Sequence, residues 1–261
     1  MTTLVRSWNV FHGRTYPSGR RAYLEAAIRL VTEDGPDVLC LQELPLWSVA
    51  RLEEWSGMQA FSARTRYRLG RFGRKPTDLH HGRFRSSLTG QANAVLVAEP
   101  HAVTDNRTLV LNDRLFVARE AWRLGLAARV ALAWTRERRV AQVLRIRPAS
   151  SPSLVLLHLH LTHLPERRCA EAELRRAVRL GEEFAADGEP LVVAGDLNLT
   201  AESSAVRELV DAGFSAADPG IDHVLVRGAV ATPLSAWPVE RRTVDGRVLS
   251  DHAPVELAVG E

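Results

Sequence analysis

The chain has 261 residues, of which 46% are hydrophobic and 25% charged, and its formal net charge is +3. These values are ordinary for a soluble globular protein, and the chain is long enough to bury a sizeable core. No apolar stretch approaches the roughly 20 residues that a membrane-spanning helix needs, so we expect no membrane contact.

The first residues of the chain and its two cysteines indicate the cellular compartment. Residues 4–10 already have a strand-like pattern, with no signal-peptide pattern before them. Cys40 and Cys169 are isolated in segments that resemble buried elements, which favours free thiols over a disulfide. We therefore expect a cytoplasmic protein, and we expect it to be a monomer.

Hydrophobic periodicity predicts the elements of the first half. Residues 3–10 are predicted to form a strand, and apolar residues at 24, 27, 28 and 31 predict a helix that ends before Gly35. Residues 38–42 form an apolar run typical of a buried strand, with Glu43 at its end. A second helix is predicted over residues 45–55.

Residues 62–90 are strongly basic and lack a clear period, which indicates a loop-rich insertion. Nearly all basic residues of the chain are arginines, and arginine binds phosphate through its planar fork. Aromatic residues are interleaved with them, as in surfaces that bind polyanions. We predict that Arg64, Arg66 and Arg68 contact substrate phosphate, although a solvated surface loop remains the alternative.

The second half contains many strands and few long helices. Helices are predicted from Pro165 onward and over residues 203–211. Strands are predicted over residues 92–98, 108–111, 127–133, 140–146, 154–161, 191–194, 221–226 and 255–259. Adjacent strands without intervening helices favour packed sheets with helices outside them, and the absence of a linker favours a single domain over residues 1–261.

Polar residues recur where the predicted strands end. A single residue of this kind usually caps a turn, but a series of them is typical of a site at one edge of a sheet. The residues are Asn9, Glu43, Asn93, His160, Asp196, Asn198, Asp222 and His252.

Five short motifs, in chain order, resemble those of the endonuclease/exonuclease/phosphatase superfamily. They are residues 8–10 (Trp-Asn-Val), 41–43 (Leu-Gln-Glu), 195–198 (Gly-Asp-Leu-Asn), 221–224 (Ile-Asp-His-Val) and 250–252 (Ser-Asp-His). The resemblance implies the α/β fold of deoxyribonuclease I, a four-layer α/β/β/α sandwich of two mixed β-sheets flanked by helices.

The resemblance also implies roles for these residues. Glu43, with Asn9 and Asp251, would bind Mg²⁺ or Mn²⁺, because these cations prefer oxygen ligands. The other implied roles are orientation of water or phosphate by Asp196 and Asn198, proton transfer by His252 held by Asp222, and phosphate binding by Asn93. Which group acts as the base stays open.

Three histidines in residues 158–163 leave alternatives open. His160 fits the strand-end histidine of the family best, while His163 lies in a Thr-His-Leu context that matches as well. The spacing His-x-His-x-x-His also resembles half of a dizinc hydrolase motif, but it lacks that motif's acidic residue and leaves Glu43 and Asp251 unexplained. His223 is a rival to His252.

Together these features predict a hydrolase of phosphate esters that requires Mg²⁺ or Mn²⁺, with DNA as the favoured substrate. The alternatives are a phosphatase or phosphodiesterase acting on a small phosphorylated molecule such as an inositol phosphate, and a catalytically degenerate nucleic-acid binder.

Overall fold

The computed structural model describes residues 2–18, 23–65, 90–149, 152–218 and 220–260. The first half of the chain begins with strand β1 and alternates strands with short helices. Its elements are β1 (Thr3–Asn9), β2 (Thr15–Tyr16), α1 (Leu24–Thr32), β3 (Val38–Pro45), α2 (Leu52–Ser56), β4 (Gln59–Arg64), β5 (Gln91–Val97), β6 (Ala102–Val110), α3 (Arg114–Arg123) and α4 (Ala128–Trp134), with 3-10 turns at Phe11–Gly13 and Leu46–Arg51.

The second half contains the long helix α5 and the strands that complete both sheets. Its elements are β7 (Val140–Arg147), β8 (Leu154–His160), α5 (Arg168–Phe184), β9 (Leu191–Asp196), α6 (Ser204–Asp211), β10 (Asp222–Arg227), β11 (Val230–Ala231), β12 (Ser235–Ala236), a 3-10 turn at Glu240–Arg242, β13 (Thr243–Val244), β14 (Arg247–Leu249) and β15 (Val255–Gly260).

Two large mixed sheets organise the chain. The first has the order β11-β15-β1-β3-β5-β4, with β12 also paired to β15, and its central β1 runs parallel to β3 and antiparallel to β15. The second has the order β10-β9-β8-β7-β6, with β8 and β9 parallel. A third, small sheet joins β13, β14 and β2.

Strand alternation divides the apolar residues among three layers of core. Residues such as Val5, Val38 and Val192 fill the space between the two sheets. The outer face of the first sheet packs against α1 and α2, and the outer face of the second packs against α5 and α6. Burial of these alternating faces drives the four-layer α/β/β/α arrangement, which confirms the predicted fold class.

Two expectations about local structure need correction or restriction. Residues 127–133, predicted as a strand, form most of helix α4. Short apolar runs do not distinguish strand from helix by periodicity, and the alanines of this segment favour a helix. Of the predicted basic insertion, residues 66–89 lie outside the described residues. Within the described residues, no helix is long and apolar enough to cross a membrane.

Candidate active site

The predicted site residues meet at one edge of the space between the two sheets. Asn9 ends β1, His160 ends β8, Asp196 ends β9 and Asp222 begins β10. The register pairs Asp196 with His160 on one side and with Asp222 on the other. All four lie at alternate strand positions that face the other sheet, so their side chains converge.

Gly195 allows β8 and β9 to approach closely at this point. Its φ is +142°, and a Cβ atom built on it would lie 1.9 Å from the carbonyl oxygen of Leu159. Only glycine satisfies both conditions. The glycine therefore sets where Asp196 leaves the strand.

Asp196 is the centre of the cluster and is 2% exposed. The Asn9 side-chain amide donates to its Oδ2 at 2.9 Å, and the Asn198 backbone N–H donates to its Oδ1 at 3.0 Å. The ring atoms Nε2 of His160 and of His252 lie 3.7 and 3.9 Å from Oδ2. Burial, followed by the charge of Asp222, raises the pKa of Asp196, so its carboxylate is more basic than a free aspartate.

Glu43 is a second carboxylate next to Asn9, whose side chain hydrogen-bonds to both Glu43 and Asp196. A bulge interrupts the pairing of β3 with β5 at this point, and Glu43 has a φ of +56°. Burial, then the charge of Asp196, raises the pKa of Glu43 to about 7, while a hydrogen bond from Asn9 opposes that rise. Its two carboxylate oxygens face Nε2 of His12 at 3.3 Å and Nε2 of His160 at 3.9 Å.

Asn93 lies on β5 opposite the bulge that carries Glu43, because Leu41 pairs with Ala94 and Leu44 with Ala92. Asn93 is 1% exposed, and its Oδ1 accepts no hydrogen bond from the described residues. A buried carbonyl oxygen without a donor favours a bound cation or water at that position.

His252 and Asp222 form a hydrogen-bonded pair beside Asp196. The ring Nδ1 lies 2.7 Å from Asp222 Oδ2. Burial opposes the charged ring, but the hydrogen bond and the charge of Asp222, reinforced by Asp196 and Asp251, outweigh it and raise the pKa of His252 to about 9. The ring is therefore an imidazolium at neutral pH.

The loop that carries His252 is fastened to β1. Ser250 Oγ donates to the Asn9 carbonyl at 2.6 Å and accepts from the His252 backbone N–H at 3.1 Å, while the Trp8 indole donates to the His252 carbonyl at 3.0 Å. Arg242 donates to three carbonyls of the same loop. These bonds bring the two ends of the chain together at the site.

Both candidate histidines of residues 158–163 lie at the site, but in different places. His160 is buried between Glu43 and Asp196. His163 is exposed, and its Nδ1 lies 2.8 Å from Oδ1 of Asn198, whose amide also donates to the Leu161 carbonyl at 3.0 Å.

His158 and His223 do not contact the carboxylates of the cluster within the described residues. Gln42 and Gln142 hold the His158 ring between the sheets, with His158 Nε2 2.8 Å from Gln42 Nε2 and His158 Nδ1 3.2 Å from Gln142 Oε1. His223 points to the opposite face of the second sheet from Asp222, with its Nε2 2.8 Å from the Leu199 carbonyl. Within the described residues, the histidines at 158, 160 and 163 do not form a set of metal ligands.

Two groups of side chains could hold a cation. Ligand atoms of Asp196, Asp222 and His252 lie within 4.8 Å of one another. However, Asp222 already hydrogen-bonds to His252 Nδ1 and favours the protonated ring, in which Nε2 has no free lone pair for a cation. The oxygens around Glu43 suit a hard divalent cation better, since the adjacent negative charge of Asp196 and the buried Asn93 oxygen both favour positive charge there.

The remaining predicted residues are placed as follows. Asp251 is exposed, and its Oδ1 lies 4.0 Å from His252 Nε2, whereas Asp222 contacts Nδ1 of the same ring. Arg64 ends β4, opposite Ala92 of β5. Arg66 and Arg68 lie outside the described residues.

Sequence reasoning missed two residues that contact the cluster. His12 lies in the turn after β1 and contacts Glu43. Arg139 immediately precedes β7, is 5% exposed, and places Nη1 3.2 Å from His160 Nδ1. Nothing in the run of residues 136–139 (Arg-Glu-Arg-Arg) distinguishes Arg139 from its neighbours. The position of His12, three residues after Asn9, was the one available signal.

An acidic centre with a buried carboxylate, a histidine–aspartate pair and hard oxygen ligands is typical of enzymes that hydrolyse phosphate esters. The model of the endonuclease/exonuclease/phosphatase family matches residues 7–252, and the chain belongs to this family. The family comprises phosphate-ester hydrolases that generally use divalent cations. A comparison with curated proteins gives no match.

Solved structures of similar fold cover almost the whole chain at low sequence identity. A conserved protein of unknown function from Enterococcus faecalis V583 has a TM-score of 0.69 at 16% identity, covering 99% of this chain and 100% of its own. The catalytic domain of human Nocturnin, solved with bound sulfate, has a TM-score of 0.67 at 14% identity, covering 99% and 93%. TDP2 from Caenorhabditis elegans has a TM-score of 0.63 at 17% identity, covering 100% and 75%.

Proposed function

We propose that the protein is a Mg²⁺- or Mn²⁺-dependent phosphodiester hydrolase and that its substrate is DNA. The observation that carries the reaction class is the buried Asp196 carboxylate between Asn9 and the imidazolium of His252. This arrangement supplies an acceptor for a proton of water and a donor for the leaving oxygen within one cluster.

Residues around Glu43 would hold the cation. Glu43 supplies a carboxylate and Asn9 an amide oxygen, with Asp251 as the predicted further ligand. The buried oxygen of Asn93, a residue that the sequence predicts to bind phosphate, is an additional candidate ligand in this proposal. A bound divalent cation would neutralise charge that develops on the phosphoryl oxygens. The proposed ligand set agrees with the raised pKa of Glu43, since a buried carboxylate beside Asp196 is stabilised by positive charge.

The side chains of this chain would then carry the proton transfers. Asp196 accepts a proton from the attacking water, whose oxygen forms the new bond to phosphorus. The ester P–O bond breaks, and its oxygen takes the proton from His252. Asp222 keeps the ring oriented through Nδ1. His252 Nε2 and Asp196 Oδ2 are 3.9 Å apart, so the proton would return to the ring through water before the next cycle.

The choice of DNA is supported by where the basic segment is attached. Thr65 and Gln91 flank it, and the Thr65 backbone N–H donates to the Gln91 carbonyl at 2.9 Å. Gln91 also contacts His12, which faces Glu43. The described residues on either side of residues 66–89 therefore lie beside the candidate site, which supports our proposal that arginines of this segment neutralise the phosphates that flank a scissile bond.

A plasmid assay tests the proposal. Supercoiled plasmid is incubated with the protein and Mg²⁺, Mn²⁺ or Zn²⁺, with and without chelator, and inositol phosphates are assayed for phosphate release in parallel. We expect nicking with Mg²⁺ or Mn²⁺, no nicking with chelator, and a loss of about 10²-fold or more in kcat for Asp196→Asn. Asp211→Asn, at the exposed end of α6, is the matched control and should retain wild-type activity.

Three outcomes would contradict the proposal in different ways. Phosphate release from inositol phosphates without nicking would replace DNA by a small phosphorylated substrate. Salt-sensitive DNA binding without turnover in any cation would indicate a binding protein. Full activity of Asp196→Asn would show that another group accepts the proton.

A further inference from the structure

Arg139 is a buried arginine that contacts His160 but takes no part in the proposed cation binding or proton transfers. Its side chain is 6% exposed, and Nη2 donates to Glu137 at 3.0 Å. Its backbone is fixed as well, because its N–H donates to Asn112 Oδ1 at 2.8 Å and its carbonyl accepts from the Leu111 N–H at 2.9 Å. Burial of the guanidinium costs desolvation free energy, and a side chain held this rigidly can orient the group that it contacts.

The contact with His160 determines the tautomer of that ring. The guanidinium of an arginine has only N–H donors and no acceptor. Since Arg139 Nη1 lies 3.2 Å from His160 Nδ1, that nitrogen must supply the lone pair. The proton of the neutral ring is therefore on Nε2.

The Nε2–H group of His160 points into the site. The carboxylate oxygens Asp196 Oδ2 and Glu43 Oε1 lie 3.7 and 3.9 Å from it, both beyond hydrogen-bonding distance. Within the described residues, no side chain accepts a hydrogen bond from this nitrogen. The His160 Nε2–H group is therefore an oriented donor without an acceptor, next to two carboxylates. It can donate a hydrogen bond to a phosphoryl oxygen of the substrate.

We propose that Arg139 is a positioning residue that fixes His160 as the Nε2–H tautomer, so that the ring donates a hydrogen bond to a non-bridging phosphoryl oxygen. This role rests on the proposed phosphodiester hydrolysis. The two histidines of the cluster then differ in role because a different residue contacts Nδ1 of each ring. Asp222 holds His252 as a proton donor to the leaving oxygen, whereas Arg139 holds His160 as a hydrogen-bond donor that keeps its proton.

Nitrogen-15 NMR of the whole protein tests the tautomer without substrate or cation. Protonated and unprotonated ring nitrogens have well-separated resonances, and comparison with His160→Gln assigns those of His160. We expect an unprotonated Nδ1 and a protonated Nε2 in the wild type. A protonated Nδ1 would overturn the proposal.

Three variants connect the tautomer to the reaction. Arg139→Met removes the donor at similar side-chain length, and we expect mixed tautomers and a fall in kcat of about 10²-fold, with little change in KM. Arg139→Gln retains an N–H donor without the charge and should keep the tautomer and most of kcat. Arg138→Met removes the exposed neighbouring charge and should change neither the tautomer nor kcat.

The outcomes separate this role from the proposed function. Wild-type kcat in a folded Arg139→Met variant would overturn the role while leaving the hydrolase intact. If Arg139→Met does not fold, loss of the Nε2–H form in a folded Arg139→Gln would overturn it, and retention would support it. A wild type without phosphoesterase activity in any cation would overturn both the proposed function and the donation to phosphate.

Discussion

His158 should make the stability of the protein fall at acidic pH. The ring is fully buried between the sheets, and burial lowers its pKa from 6.5 to about 3. Above pH 6.5 the ring is neutral in both the folded and the unfolded state. Between pH 6.5 and about 3 only the unfolded state binds the proton, so each pH unit lowers the free energy of unfolding by about 1.4 kcal/mol.

The expected effect at pH 4.5 is large enough to measure. Two pH units below the unfolded pKa correspond to about 2.7 kcal/mol lost from the free energy of unfolding, relative to pH 7.5. Other groups titrate over the same range, so the measured quantity is the difference between the wild type and His158→Gln, which has no proton to bind there. Glutamine can retain hydrogen bonds with Gln42 and Gln142, which contact the ring in the wild type.

Urea denaturation at pH 7.5 and 4.5 provides the assay. We expect His158→Gln to be less stable than the wild type at pH 7.5 and to recover about 2–3 kcal/mol relative to it at pH 4.5. The same substitution at the exposed His163 is the control and should show no such recovery. Parallel pH dependence in wild type and His158→Gln, within about 0.5 kcal/mol, would refute the reasoning.

Three further predictions concern the site. Mg²⁺ at 100 times its Kd should stabilise the wild type by about 2.7 kcal/mol in thermal unfolding, and Glu43→Gln should reduce this; equal stabilisation of both proteins would remove Glu43 from the ligand set. Asp222→Asn should lower kcat by about 10²-fold in the plasmid assay with little change in KM, because a neutral amide does not stabilise the protonated His252 ring as a carboxylate does. A change confined to KM would contradict that role. Gly195→Ala should destabilise the protein by more than about 3 kcal/mol, against about 1 kcal/mol for Gly188→Ala, where a Cβ meets nothing within 4 Å; similar urea midpoints would contradict the close approach of β8 and β9.

The fold could be predicted because its signals are local. The apolar run at residues 38–42 and the alternation in β8 and β9 follow from which side chains avoid water, and each can be recognised within a few residues. The weak point was α4, where an alanine-rich apolar run has no decisive period. Its position depends instead on packing of Trp134, whose indole donates to the buried Glu173 at 2.6 Å.

The composition of the site was predictable for the residues that end strands, since alternation determines their face. Asn9, His160, Asp196 and Asp222 are brought to one edge of the intersheet space by the same alternation that buries the core. Their roles remain predictions. The sequence by itself thus determined the fold class and the residue types that meet.

Only the tertiary structure decided which side chains face one another across elements. The contact of Arg139 with His160 joins the start of β7 to the end of β8, and that of His12 with Glu43 joins the turn after β1 to the bulge in β3. The direction of a long side chain from a turn or strand end depends on packing rather than on strand period. The protonation states and tautomers of the histidines depend on those contacts, so they could not be predicted from the sequence.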